Sequence, residues 1–174
     1  LEISPLTDKE GNKIKPKAVH HKIILGLGKP SVWPISKDQI KDYLSELKMS
    51  KSKPDTCIFI HDSPDEIRRK IKKAFCPEKN TDFNPVLDWV EKLIFPVNDK
   101  LEIIRPEKFG GNKTYNSFEE LKEDFANGDI HPADLKSSVA EELINILEPA
   151  IEHFSKGKPK EYLEELESLM EKDK

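Results

Sequence analysis

The sequence predicts the closing portion of an α/β domain leading into a mainly α-helical bundle that carries a small β-hairpin. Three observations predict it. Short β-prone apolar runs at 18–28 and 56–60 lie in the first third of the chain. From Ser63 onward, helix-start signals repeatedly introduce apolar stripes at helical spacing. Between those helices, two short strand-like segments are joined through Pro106 and Gly110-Gly111. The expected division is 1–62 for the α/β end and 63–174 for the helical part.

Residues 1–17 hold the polar run Asp8-Lys9-Glu10-Gly11-Asn12-Lys13 between Pro5 and Pro16, which reads as loop or short hairpin. Ala18 to Gly28 is an apolar stretch interrupted by His20 and His21, expected as a buried strand running into a turn. After Pro30 and Pro34, Ser36 with Asp38-Gln39 caps a short helix bearing Ile40, Tyr43, Leu44 and Leu47. A cationic loop follows from Lys48 to Pro54, and Thr56 to Ile60 reads as a compact strand.

Ser63-Pro64-Asp65-Glu66 is a complete helix start: the serine caps, the proline suits the first helical position and Glu66 reaches back. Ile67, Ile71, Ala74 and Phe75 form the apolar face of that helix, and Arg68, Arg69, Lys70, Lys72 and Lys73 surround it until Pro77. Asn84-Pro85 opens a helix with Val86, Leu87, Val90, Leu93 and Ile94, stopped by Pro96. Leu101 to Arg105 and Lys113 to Tyr115 are the hairpin arms. Ser117 and Glu120 form a second capping box before Leu121 and Phe125, and Asn127-Gly128 ends that helix. The longest helix starts at Pro132, carries Leu135, Val139, Leu143, Ile146, Leu147, Ile151 and Phe154, and stops at Gly157. Pro159 opens a last helix with an acidic outer face.

With 174 residues, 36% hydrophobic and 36% charged, the chain suits one medium domain or two small pieces and excludes wholesale disorder. No apolar run approaches the roughly 20 residues of a membrane helix. Cys57 and Cys76 form neither a CxxC pair nor a disulfide framework, so no metal site and a reducing, cytoplasmic setting are expected. Net charge is −4, unevenly placed: residues 1–80 hold 17 Lys+Arg against 11 Asp+Glu, and the remainder 12 against 22. A polyanion can therefore touch the front broadly, and the rear only through a few placed groups. The chain opens on Leu1 rather than Met, the expectation for a piece of something longer.

One motif carries chemistry. Lys48-Met49-Ser50-Lys51-Ser52 sets two lysines three apart, each followed by a nearby serine hydroxyl, and Lys53 adds a third cation. Such a loop can fold over a nucleoside triphosphate and neutralise the charge that grows on a pyrophosphate leaving group. It helps most if it tightens in the transition state, so a mobile loop is suited to the task. On composition alone the same residues could be a lysine-rich linker.

Context decides between these. Lys48-Met-Ser-Lys-Ser-Lys-Pro-Asp-Thr56, Phe75-Cys76-Pro77, Arg105-Pro-Glu-Lys-Phe-Gly-Gly111 and His131-Pro-Ala-Asp-Leu-Lys136 closely resemble class I tyrosyl-tRNA synthetases of the archaeal and eukaryotic type. The resemblance runs over essentially the whole chain. It implies that 1–62 end a Rossmann-type catalytic domain and that 63–174 are the anticodon-binding domain. It implies ATP-dependent activation of L-tyrosine and transfer to tRNA(Tyr), with magnesium accompanying the triphosphate. Lys48 and Lys51 match the catalytic loop lysines, and Lys48, Met49, Ser50, Lys51 and Ser52 the ATP-binding loop. Asp134 matches the acidic reader of the first anticodon guanine, whose Watson–Crick edge offers two donors. Phe109 matches an aromatic platform, with His131 stacking nearby and Arg105 a weaker contact. The bland alternatives are that Asp134 merely suits a helix start and Phe109 anchors a turn.

The class also needs a His-x-Gly-His signature, absent here; His20-His21-Lys22-Ile23 is no substitute. The chain is thus expected to be a carboxy-terminal part, inactive alone, of an enzyme that is homodimeric when whole. The other readings are a stand-alone RNA-binding module with a relict loop, and the less similar tryptophanyl enzyme. Contact of the basic helix Arg68–Lys73 with RNA phosphates is as compatible with the sequence as a solvated face. His20 and His21 suit structural roles better than a nucleotide site, and Trp33 and Trp89 have no role beyond packing.

Overall fold

A computed structural model describes Glu10, residues 22–36, Tyr43, 47–50 and 52–172. Among these, the ordered elements are α1 (Pro64–Lys73), α2 (Pro85–Trp89) continued by a π turn (Val90–Ile94), β1 (Leu101–Ile103), β2 (Lys113–Tyr115), α3 (Phe118–Asn127), α4 (Pro132–Phe154) and α5 (Gly157–Lys172). No helix of the described residues is long and apolar enough to cross a membrane.

Local chemistry explains the helix ends. The Ser63 hydroxyl accepts from the Glu66 amide at 3.2 Å and the Ser117 hydroxyl from the Glu120 amide at 3.3 Å. Glu66 does not close the expected reciprocal box, because its carboxylate is drawn into a two-pronged pair with Arg69 at 2.6 and 2.7 Å. Asn84 caps α2 by accepting from the amides of Val86 and Leu87. Gly128, at φ +89°, ends α3 and lets the Asp129 amide return to the Asp124 carbonyl at 2.9 Å. α5 begins at Gly157, two residues before the expected Pro159.

The helical part closes around α4. Its face of Leu135, Val139, Ala140 and Leu143 meets Ile67 and Ile71 of α1, the Val86–Ile94 segment and β1. Each such aliphatic side chain stabilises the fold by about 1.5–3 kcal/mol relative to exposure. The hairpin pairs Leu101 with Tyr115, Glu102 with Thr114 and Ile103 with Lys113. It is pinned to α4 where the Ser138 hydroxyl accepts from the Ile104 amide at 3.0 Å. By contrast, α5 leaves Tyr162, Leu166 and Leu169 exposed and half-buries Leu163.

The β expectations at the front need correction. Residues 56–60 form no strand: a 3-10 turn, Pro54–Thr56, leads into a turn in which Asp62 accepts from and donates to Phe59. The neighbouring 22–28 segment reaches this run through one backbone bond, from the Leu27 amide to the Thr56 carbonyl at 2.9 Å, and a strand needs a continued ladder rather than a single bond. From the 18–28 run, the described part contributes a single antiparallel bridge, Leu25 with Lys48. The only described sheet is the β1–β2 hairpin.

What holds residues 22–28 is the start of the helical part. Asp88 accepts from the Leu25 amide at 2.9 Å, the Trp89 indole donates to the Leu25 carbonyl at 2.6 Å and Lys92 to the Ile23 carbonyl at 2.7 Å. Trp89 therefore does more than pack. Trp33 meets Phe75 edge to face at 4.9 Å. Leu27, fully buried, belongs to the same apolar core as the helices. The 1–17 loop, His20, His21, Lys51 and most of the helix expected from Ser36 to Leu47 lie outside the described residues, although Tyr43 and Leu47 themselves are helical.

Candidate functional site

Two concavities collect the residues singled out above. In the first, the bridge to Leu25 fixes Lys48, and the Gly26 amide donates to the Leu47 carbonyl at 2.6 Å. A Cβ on Gly26 would come within 3.1 Å of the Lys48 carbonyl oxygen, so the close approach of the two backbones depends on glycine. The Ser50 carbonyl accepts from the Lys53 amide at 3.0 Å and, more weakly, from the Cys57 thiol at 3.6 Å. Burial pushes the Cys57 thiol up, which keeps it protonated and able to donate. These bonds surround a cavity of about 140 Å³ lined by Gly26, Gly28, Lys29, Lys48, Ser50 and Lys53 among others. Among the described residues, three lysines and no carboxylate line it, which suits phosphate oxygens. Met49 and Ser52 are exposed and outside the lining.

The second concavity, about 480 Å³, is lined by Arg105, Phe109, Gly128, Asp129, His131 and Asp134. Two separate stretches build it, 105–109 and 128–134. Arg105 ties them together: its Nε donates to the Gly111 carbonyl at 2.7 Å, and its Nη1 to the Asp129 carbonyl. Gly110, at φ +100°, lies over this guanidinium, where a Cβ would sit 3.2 Å from Nη2. That turn leaves Phe109 61% exposed at the rim. Across from it, the exposed His131 caps α4, its Nδ1 accepting from the Ala133 amide at 3.1 Å. With Nδ1 accepting, Nε2 is the ring nitrogen able to donate. Asp134, half-buried, lies in the first turn of α4, at the positive end of the helix dipole. An aromatic face, an imidazole and a carboxylate around one opening can hold an unstacked base and accept hydrogen bonds from its edge.

Residues 29–148 match the family described as tRNA synthetases class I (W and Y). The chain belongs to the class I tRNA synthetases. It is 56% identical over 149 residues to a tyrosine–tRNA ligase of Pyrococcus horikoshii, covering 84% of this chain and 40% of that protein. It is 52% identical over 169 residues to one from Thermococcus kodakarensis, covering 95% and 45%. Among solved structures, tyrosyl-tRNA synthetase of Pyrococcus horikoshii complexed with L-tyrosine superposes with a TM-score of 0.79 at 53% identity, over 90% of this chain and 43% of that one. The chain thus spans less than half the length of the relatives it matches.

The basic helix of this synthetase chain is mostly self-neutralised. Arg68 makes a two-pronged pair with Glu141 of α4 at 2.7 and 2.9 Å, and Arg69 pairs with Glu66 and, at 2.5 Å, with Asp55. Lys73 lies 3.7 Å from Asp55, and Lys70 is buried against Asp62 at 2.6 Å. Hydrogen bonds from Arg69 hold the carboxyls of Asp55 and Glu66 below their ordinary values, and those from Arg68 do the same for Glu141. The sequence contained these cations but not their partners. α1 therefore links the turn after the Lys48 loop to the helix that carries His131 and Asp134.

Sequence reasoning missed other parts. Lys29, Gly26 and Gly28 line the lysine cavity; the Gly-x-Gly spacing after an apolar run was the available signal. Arg105 is foremost a clamp between loops. Among the described residues no cluster of three or more His, Cys, Asp or Glu side chains is placed to hold a metal.

Proposed function

We propose that this chain is the part of a tyrosine–tRNA ligase that supplies the triphosphate loop and reads the anticodon, with residues 1–62 ending the catalytic domain and 63–174 forming the anticodon-binding domain. The observation that carries the reading is the meeting of Arg105, Phe109, His131 and Asp134 at one opening, although they lie up to 29 positions apart. In this reading the first anticodon base, a guanine, stacks against Phe109 with His131 beside it, and the Asp134 carboxylate accepts from its Watson–Crick donors. Arg105 acts by keeping the two walls together.

At the other concavity, the loop from Lys48 to Ser52 covers the phosphates of ATP. L-Tyrosine and ATP give tyrosyl-adenylate and pyrophosphate, and the adenylate then passes its tyrosyl group to tRNA(Tyr). Lys48 and Lys51 place ammonium charge where negative charge grows on the departing pyrophosphate. Lys29 and Lys53 add to the same field, and Ser50 keeps the loop turned through its carbonyl. Magnesium arrives with ATP, held by phosphate oxygens. The complete enzyme is assigned to the cytoplasm as a homodimer.

The test is binding of this chain to a tyrosine tRNA transcript and to the same transcript with its first anticodon guanine replaced, each with wild type and Asp134→Ala. A guanine preference of roughly 1–3 kcal/mol, abolished by Asp134→Ala, is the expected result. Equal, salt-sensitive binding to both transcripts by the wild type overturns the anticodon reading and leaves Asp134 a helix-start residue.

A further inference from the structure

We propose that Lys79 is a phosphate contact for the RNA strand occupying the Arg105–Asp134 cleft, a role that rests on the anticodon reading above. Lys79 lies in the connection between α1 and α2, far in sequence from every residue that reads a base in that proposal. Its backbone is left-handed, φ 57°, a conformation that a lysine rarely adopts. That conformation lays its side chain across Gly128. A Cβ on Gly128 would overlap the Lys79 Cε and come within 2.9 Å of its Nζ. Gly128 thus serves twice, as the left-handed end of α3 and, itself lining the cleft, as the flat surface against which the Lys79 ammonium lies.

Charge explains why a cation is needed there. Beyond residue 80 the chain holds 12 Lys+Arg against 22 Asp+Glu, and the cleft itself carries Asp129 and Asp134. The Nε and Nη1 of Arg105 are engaged by backbone carbonyls. Lys108 lies over the Phe109 ring, 4.8 Å from its centroid. A base seated between Phe109 and Asp134 brings its phosphates to the rim, where acidic surroundings repel them. Lys79 comes from the net-positive front of the chain, and the fold lays it against Gly128, one of the residues lining the cleft. A compact ammonium on a flexible stem suits a phosphate whose position varies, and it carries no base preference.

The test uses this chain with an anticodon stem-loop RNA carrying guanine at the first anticodon position and with its replaced counterpart, titrated over a range of salt. Lys79→Met keeps an unbranched apolar stem over Gly128 and removes only the charge; Lys79→Arg restores it. Lys79→Met is expected to weaken both RNAs several-fold at low salt and to lower the slope of log K against log salt by about 0.7–1, with the guanine preference intact. Lys79→Arg returns the slope. An unchanged slope in a Lys79→Met protein with wild-type thermal unfolding overturns the proposal, as does a loss confined to the guanine RNA. Failure of the anticodon reading looks different: the wild type then shows no guanine preference and Asp134→Ala changes nothing, whatever the slope of Lys79→Met.

Discussion

Replacing Lys70 by Met should be among the most destabilising single changes in this chain. The Lys70 and Asp62 side chains are only 3% and 8% exposed, and their Nζ and Oδ2 atoms are 2.6 Å apart. Lys70 also sits 4.7 Å from the centre of the Phe59 ring, and Glu66 is 3.7 Å from its Nζ. Removing one member of such a pair leaves a buried charge without compensation and costs about 3–5 kcal/mol. The lower end applies, near 3 kcal/mol, because Asp62 keeps the Phe59 amide as a donor at 2.9 Å. Domains of this kind have total stabilities of about 5–15 kcal/mol, so the loss is a large fraction of the whole. In the double variant Lys70→Met with Asp62→Asn, the amide oxygen still accepts from Phe59 and no charge is stranded. Most of the loss should be recovered. The assay is urea unfolding followed by circular dichroism, with the midpoint read at constant m. A single variant losing under about 1 kcal/mol, or a double variant no better than the single one, would show that the pair does not hold the turn after the Lys48 loop to α1.

Arg105→Ala should loosen both walls of the second cleft and lower affinity for the guanine stem-loop about tenfold, more than for the replaced RNA; equal affinity in the variant and the wild type would refute the clamp. Gly128→Ala, at φ +89° and with Lys79 in the way, should lose more than about 1 kcal/mol in chemical unfolding, and a neutral result would mean that the backbone there relaxes easily. Hydrogen bonds from Lys113 and Tyr115 hold the Asp124 carboxyl below its ordinary value despite its burial. Its contribution is therefore complete above the unfolded carboxylate pKa of about 4 and is lost as pH falls through the lower folded value. Asp124→Asn should flatten the acid limb of Tm against pH, and a parallel downward shift at every pH would count against it. Trp89→Phe removes the donor to the Leu25 carbonyl and should cost about 1 kcal/mol, with faster amide exchange at Gly26, whose bond to Leu47 flanks Lys48; unchanged exchange there would sever the link between α2 and the loop.

Taken residue by residue, the sequence by itself determined what short-range chemistry controls. Ser63, Asn84 and Ser117 start their helices because the groups they satisfy lie two or three residues away. Gly128 and Gly157 adopt the left-handed backbone that other residues resist. The Lys48–Ser52 motif was legible because its five residues are contiguous and were read together with the other motifs of the chain. Tertiary structure decided whatever depends on a distant partner. Residues 56–60 are β-prone yet form no strand, since a ladder needs a neighbour that local sequence cannot provide. The cations of α1 were visible, with phosphate contact and a solvated face equally open, but Glu141, 73 positions from Arg68, makes part of that face a brace between helices. Arg105 became a clamp, and Lys79 reached Gly128, only when the chain had closed around α4. Hydrogen bonds and ion pairs act over a few ångströms, so their consequences follow from proximity in space, which for these groups only the folded chain creates.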